Sequence, residues 1–275
     1  MGQEIHSAMN ADPFASPKLK LVRAKKNRDD FVVERGRFIN THPWSKITDT
    51  SADGFSKEFK VKLNRPFPDT FSELVSYATN NLRACLDGAA WATAACSGKK
   101  GKNAPFPFGD SPDGLENVIK RSCKDIPPDI LTVMRGFKPY KTGNALLWAI
   151  NHVANLDKHA LVIPMAAGLS SLVFTSILPK GSVAATAPFP PVLIPSDTIW
   201  RPENNEIVYA VSGTILDSEI RPNYDVHIML DIALGEIEVV GRQRAIGVLH
   251  HMICEVESIL MAIEVETQRL FPAAF

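Results

Sequence analysis

The sequence predicts an α+β fold, a helical bundle packed with an antiparallel β-sheet. Two long stretches, at 65–165 and 240–271, carry apolar residues at helical spacing. Between them, residues 168–235 break into short β-rich runs separated by Pro, Gly and Asn turns. The order of helix, hairpin, helices, strands and helix segregates the two element types, as α+β folds do. The first and last helices must pack with the middle ones. A single interlocked unit over 16–275 is therefore expected, behind a flexible leader at 1–15.

Each element has its own signals. Ser16-Pro17 reads as a cap followed by Pro at the first helical position, for a helix to Glu34. Ile47–Asn64 holds one or two strands, with Phe59, Val61 and Leu63 on one face and Lys60 and Lys62 on the other. A helix from Asp69 or Thr70 to Cys96 presents Phe71, Leu74, Val75, Ala78, Leu82, Cys85, Leu86 and Ala89 as one stripe. A loop over Ser97–Gly109 precedes a short helix opened by Ser111-Pro112 and another from Pro127-Pro128 to Gly136. Gly143–Val162 reads as a further helix. Strands are expected at Leu169–Leu178, Ser182–Ala187, Glu206–Leu216 and Tyr224–Leu234. A final helix runs from Val240 to Leu270, apolar nearly all round, and stops before Pro272.

The chain has 275 residues, with 30 basic and 30 acidic side chains and a formal net charge of zero. Nothing at whole-chain level points to a polyanion or a membrane. The basic run Lys18–Arg28 reads as the solvated face of a helix. No apolar stretch reads as a membrane span and no secretory signal is recognised, so a cytoplasmic location without a membrane partner is expected. Cys85, Cys96, Cys123 and Cys254 are widely spaced and read as small core residues in a reducing compartment.

One charge is out of place. On the Gly143–Val162 helix the apolar face is Leu146, Leu147, Ile150, Val153, Ala154 and Leu161, and Asp157 falls in its middle. A carboxylate buried there without a partner costs several kcal/mol, on the order of the penalty per ion. In the preceding long helix Asn80, Arg83, Asp87 and Trp91 form a polar stripe. Arg83 can pair with Asp87 one turn away or, across a helix interface, with Asp157, whose two oxygens its fork matches. Asn144, Trp148, Asn151, His152, Asn155 and His159 form a second stripe. The polar centre expected from these patterns is Asn80, Arg83, Asp87, Asn155, Asp157, Lys158 and His159.

The runs Asn81-Leu82-Arg83-Ala84-Cys85-Leu86-Asp87, Phe106-Pro107-Phe108, Leu147-Trp148 and Asn155-Leu156-Asp157-Lys158-His159 resemble a family of uncharacterised bacterial proteins. In that family an NLRxxLDH helix precedes an LxxxxNxDKHR helix. The likeness covers residues 16–165 well and the strands loosely. The first motif is also similar to the Arg-x4-His pattern of HEPN domains, helical bundles of which many are metal-independent RNases. The resemblance implies an HEPN-like scaffold, and in such domains Arg and His belong to the RNA-cleaving centre of a dimer. Here Gly88 stands where that His would be, and Ala160 where the second motif has Arg.

Three functions follow from these residues. The first is a non-catalytic HEPN-like binding or interaction module, a homodimer through the Trp91 or Trp148 stripe. The second is an RNase that uses Arg83 with His159 or His152 as acid or base. The third is a small-molecule site between bundle and sheet, lined by Asn80, Arg83, Asp157 and His159. No cofactor or metal is expected. His152 and His159 stand about 10 Å apart along their helix. His250, Cys254 and Glu257 share a face but lack a second ligand pair, so His250 and His251 read as core or interface residues. Gly98-Lys99-Lys100-Gly101-Lys102 lacks the spacing of a phosphate loop.

Overall fold

A computed structural model describes residues 12–50, 57–156, 165–176, 199–201, 206–212, 224–234, 239–240 and 243–275. Among them are helices α1 (Ala15–Asn40), α2 (Asp69–Cys96), α3 (Pro112–Ser122), α4 (Pro128–Gly136), α5 (Ala145–Leu156) and α6 (Ala245–Leu270). The strands are β1 (Trp44–Thr50), β2 (Lys57–Leu63), β3 (Met165–Ser176), β4 (Ile199–Arg201), β5 (Glu206–Ser212) and β6 (Tyr224–Leu234). The fold is α+β with antiparallel sheets.

α1 and α2 run antiparallel. Pro17 lies against Gly88 at one end, and Phe31 packs on Phe71 at the other with ring centroids 5.2 Å apart. α6 packs against both, and α5 and α4 complete the bundle. The stripe expected on α2 is its core face: Phe71, Val75, Ala78, Leu82, Cys85, Leu86 and Ala89 are all buried, and Leu74 is half-buried. α3 begins as expected, with Ser111 Oγ accepting the Gly114 N–H at 3.1 Å.

α1 departs from expectation at both ends. It starts at Ala15, because the Asp12 carboxylate accepts the Phe14 N–H at 2.8 Å and binds Lys18 Nζ at 2.9 Å. Phe14 is fully buried and stacks with Phe275, so residues 12–15 belong to the fold rather than to a leader. The helix continues past Glu34 to Asn40. Phe38 packs edge-on to Phe71 at 5.6 Å, and that burial outweighs the helix-weakening Gly36.

The strands form two sheets rather than one. The first has the order β1-β2-β5-β4 and the second pairs β3 with β6; all pairings are antiparallel. β4 was not anticipated. The Ser182–Ala187 segment lies outside the described residues. In β2, Val61 and Leu63 are buried as expected, but Lys60 on the opposite face is buried too, its side chain 8% exposed. A register shift against β5 falls between Phe59 and Lys60. Bulges of this kind re-aim side chains. The Lys60 ammonium meets Asp49 at 2.6 Å and Glu206 at 3.7 Å. A buried ammonium is tolerated there because two carboxylates neutralise it.

α6 starts five residues later than expected. It is not buried all round: Met261, Val265, His250, His251 and Cys254 are exposed, so neither histidine is a core residue and Cys254 is not a core thiol. By length and composition α6 does reach the threshold of a membrane span, with a mean hydropathy of 1.5 over an 18-residue window. In this fold 44% of that window is buried against the protein. A core helix passes the same test. Cys85 and Cys123 are buried, and all four cysteines are free thiols.

Candidate functional site

The polar stripe of α2 meets the loop that follows it, and the contact is built around Arg83. The stripe places Arg83 and Asp87 one helical turn apart, and the Arg83 guanidinium lies 3.3 Å from Asp87 Oδ1. Asp87 Oδ1 also accepts the Phe106 N–H at 2.9 Å, while Arg83 Nη1 donates to the Phe106 carbonyl at 3.4 Å. The Phe108 ring covers the guanidinium at 4.2 Å from its centroid and packs on Phe106 at 5.1 Å. Pro107 removes a donor between the two aromatics and stiffens the turn. The run Phe106-Pro107-Phe108 is thus bound to α2 by one carboxylate and one guanidinium, with Phe106 buried and Phe108 nearly so.

The loop is tied at other points. Cys123 Sγ donates to Pro105 O at 3.4 Å, Asn103 N donates to Asp125 Oδ2 at 3.0 Å, and Gly109 N donates to Pro139 O at 3.0 Å. A Cβ on Gly109 would strike the Leu115 backbone at 2.4–2.8 Å in Leu115 N and Cα, so only glycine permits the approach. Asp110 Oδ1 accepts from Trp148 Nε1 at 3.1 Å, which links the loop to α5.

Burial lowers the pKa of Arg83 from its usual value, and Asp87 opposes that shift. A guanidinium starts so high that it stays charged at neutral pH. Burial pushes the Cys123 thiol up to about 11, with the Asp87 charge adding to the effect. Burial likewise raises Cys85 to about 12. Neither thiol is available as a nucleophile near pH 7. The arrangement holds a cation under an aromatic ring, with its carboxylate partner engaged by a backbone amide.

The other expected site residues do not join Arg83. His152 stacks on Trp148, with ring centroids 4.7 Å apart and 13° between planes, and no hydrogen bond or ion pair links it to Arg83 among the described residues. Trp148 is only 7% exposed, so its indole is not an open contact on that stripe, whereas Asn155 on the same stripe is exposed. Asn144 caps α5, accepting the Leu147 N–H at 3.0 Å and donating to Glu255 at 2.7 Å. Asn155 donates to Asn151 at 3.4 Å on the exposed side. Trp91, on one of the two stripes expected to carry a dimer contact, is 53% exposed, with Gly101 of the loop held against its indole edge at positive φ. Asp157, Lys158 and His159, and with them the Arg83–Asp157 contact, lie outside the described residues.

Asn80 faces another way. With Asn81, Tyr77 and Ala84 it lines a groove of about 450 Å³ between α1 and α2, and α1 contributes Lys20, Arg23, Lys26 and Asn27. Sequence reading missed this groove because it took Lys18–Arg28 as one solvated face. The run in fact divides. Lys18 and Lys25 turn to α6 and bind Glu264 at 2.5 Å and Glu257 at 2.6 Å, while Lys20 and Arg23 turn to α2. The available signal was the matched spacing of 20, 23 and 27 with 77, 80, 81 and 84 on two antiparallel helices. Among the described residues, no group of three His, Cys, Asp or Glu side chains is placed to hold a metal ion.

Comparison with protein-family models, with curated proteins and with solved structures finds no match.

Proposed function

We propose that this chain is a non-catalytic binding or interaction module on an HEPN-like helical scaffold. The observation that carries this reading is the state of Arg83. Its guanidinium is occupied by Asp87, by the Phe106 carbonyl and by the face of Phe108. RNA hydrolysis without a metal needs an acid or base beside the scissile phosphate. At the motif position for that group stands Gly88, and a Cβ there would already lie 3.3 Å from the Pro17 ring. An imidazole at 88 would be directed at the first turn of α1, whereas the partners of Arg83 are Asp87 on its own helix and the Phe106 carbonyl and Phe108 ring of the loop. The exposed Trp91 supports association with a second copy through the outer side of α2.

The test is incubation of the purified protein with mixed RNA, beside Arg83→Ala and His159→Ala. No cleavage above a protein-free blank is expected from any of them. Cleavage by wild type that Arg83→Ala or His159→Ala abolishes would overturn the reading in favour of an RNase. Sedimentation at micromolar concentration checks the second part: a dimer that Trp91→Ala converts to monomer is expected, and a wild-type monomer would refute it.

A further inference from the structure

Two hollows run together along the C-terminal half of α1. The first, about 450 Å³, lies between Phe38 and Thr41 of α1 and Arg65, Pro66 and Pro68 of the β2–α2 connection. The second, about 330 Å³, lies between Asp30 and Val33 of α1 and Thr70, Glu73 and Leu74 of α2. Glu34 and Arg37 line both, so the two form one groove. Its α1 side, from Asp30 to Thr41, is about 16 Å long.

The groove carries a free charge of opposite sign at each end. Arg65 at one end and Glu73 at the other are exposed, and neither side chain forms an ion pair or hydrogen bond among the described residues. Between them the charges are neutralised in place: Glu34 binds Arg37, and Asp30 binds Lys26 at 2.6 Å. The wall that carries Arg65 is stiff. Phe67 packs on Phe38 and Phe71, with ring centroids 5.8 and 6.4 Å apart, and a proline on each side of it fixes the backbone. Asn64, just before Arg65, donates its N–H to the Pro43 carbonyl at 2.7 Å. A wall already held in place loses little freedom when a ligand binds.

We propose that this groove binds a short extended peptide with free ends, its C-terminal carboxylate on Arg65 and its ammonium on Glu73. The guanidinium fork matches a carboxylate bidentately. Phe38, Pro66, Pro68 and Leu74 offer apolar surface between the ends, which suits uncharged side chains. Four extended residues reach about 13 Å at 3.3 Å each, within the length of the groove. A polyanion does not fit, because Glu73 and the neighbouring Asp30 and Glu34 would repel it along half its path. A lone anion or lone cation would use only one end.

The test titrates isotope-labelled protein with the tetrapeptide Ala-Val-Ala-Leu, and with its C-amidated and N-acetylated forms, while backbone amide signals are followed. Saturable shifts at Thr41, Arg65 and Glu73 are expected, with a Kd at or below about 1 mM. Each cap is expected to weaken binding about two- to fivefold, the range of one exposed ion pair. Arg65→Glu should weaken the free acid about five- to tenfold and leave the amidated peptide within about twofold. Glu73→Lys should do the same to the free amine and spare the acetylated peptide. Both substitutions change exposed side chains that make no contact needed for folding. Four results would each overturn the proposal: no saturable shift up to about 10 mM peptide; shifts confined to other residues; caps without effect; or charge reversals that act equally on capped and uncapped peptides. Failure here leaves the reading of Arg83 untouched, because the two rest on different residues and different assays.

Discussion

Replacing Asp87 with alanine removes the carboxylate that holds both Arg83 and the Phe106 amide. A hydrogen bond to a charged group contributes about 1.5–3 kcal/mol when buried. The Asp87 side chain is 39% exposed, so a value near 1 kcal/mol suits the Phe106 bond. Arg83, at 23% exposed, then keeps only a carbonyl and an aromatic ring as partners. Losing its counter-charge adds about 1–2 kcal/mol, between the surface and buried limits. Alanine returns about 0.6 kcal/mol in helix propensity. The net loss is about 2 kcal/mol. In urea unfolding with a slope near 3 kcal/mol per molar, that lowers the midpoint by about 0.7 M at unchanged slope. Asp87→Asn keeps an acceptor for Phe106 and is expected to cost about half as much. The cycle with Arg83→Ala should show a coupling of about 1 kcal/mol or more. A loss under 0.5 kcal/mol with no coupling would reduce the pair to an ordinary surface i,i+4 bridge and refute the reasoning.

Other perturbations have defined outcomes. Lys60→Met leaves Glu206 nearly buried with, among the described residues, only Lys62, 3.9 Å away, and should cost about 2–4 kcal/mol, whereas Lys60→Met/Glu206→Gln should recover most of that in the same unfolding assay. Thiol titration of the native protein at pH 8 should modify Cys254 first, and Cys85 and Cys123, raised to about 12 and about 11, only on unfolding; fast labelling of Cys123 would contradict its burial. Ser111→Ala removes the cap of α3 and should cost about 1 kcal/mol, with Ser111→Asp nearly neutral. Glu116 accepts two bonds from Arg135, at 2.6 and 3.0 Å, and that pairing holds its pKa below the usual glutamate value. Its contribution is therefore complete above the unfolded pKa near 4.3 and is lost as pH falls through the lower folded pKa; Glu116→Gln should flatten the acid limb of a stability–pH curve and leave the neutral region almost unchanged.

Much of the bundle was legible because burial follows periodicity. The α2 stripe, the Ser111 and Pro127-Pro128 starts and the buried face of α5 all come from local patterns that the tertiary structure keeps. The misread features depend on partners distant in sequence. Lys60 looks like a solvent lysine until Asp49 and Glu206 arrive from β1 and β5. Trp148 looks like a surface aromatic until Asp110 caps its indole N–H. α1 outruns its propensity because Phe38 finds Phe71 and Phe67. At the site, the Arg83–Asp87 spacing was readable, but its engagement by Phe106 and Phe108 was not, since nothing in a loop's sequence tells which backbone amide meets which carboxylate.

The role of Arg83 and Asp87 as the clamp on the 106–108 loop is tested most directly by amide hydrogen exchange at Phe106. In wild type this amide, donated to Asp87, should be protected well above the exposed amides of the same loop. In Asp87→Ala the protection should vanish at Phe106 while the α2 amides around Leu82 and Leu86 keep theirs. Rapid exchange at Phe106 in wild type, or protection that survives Asp87→Ala, would contradict the clamp.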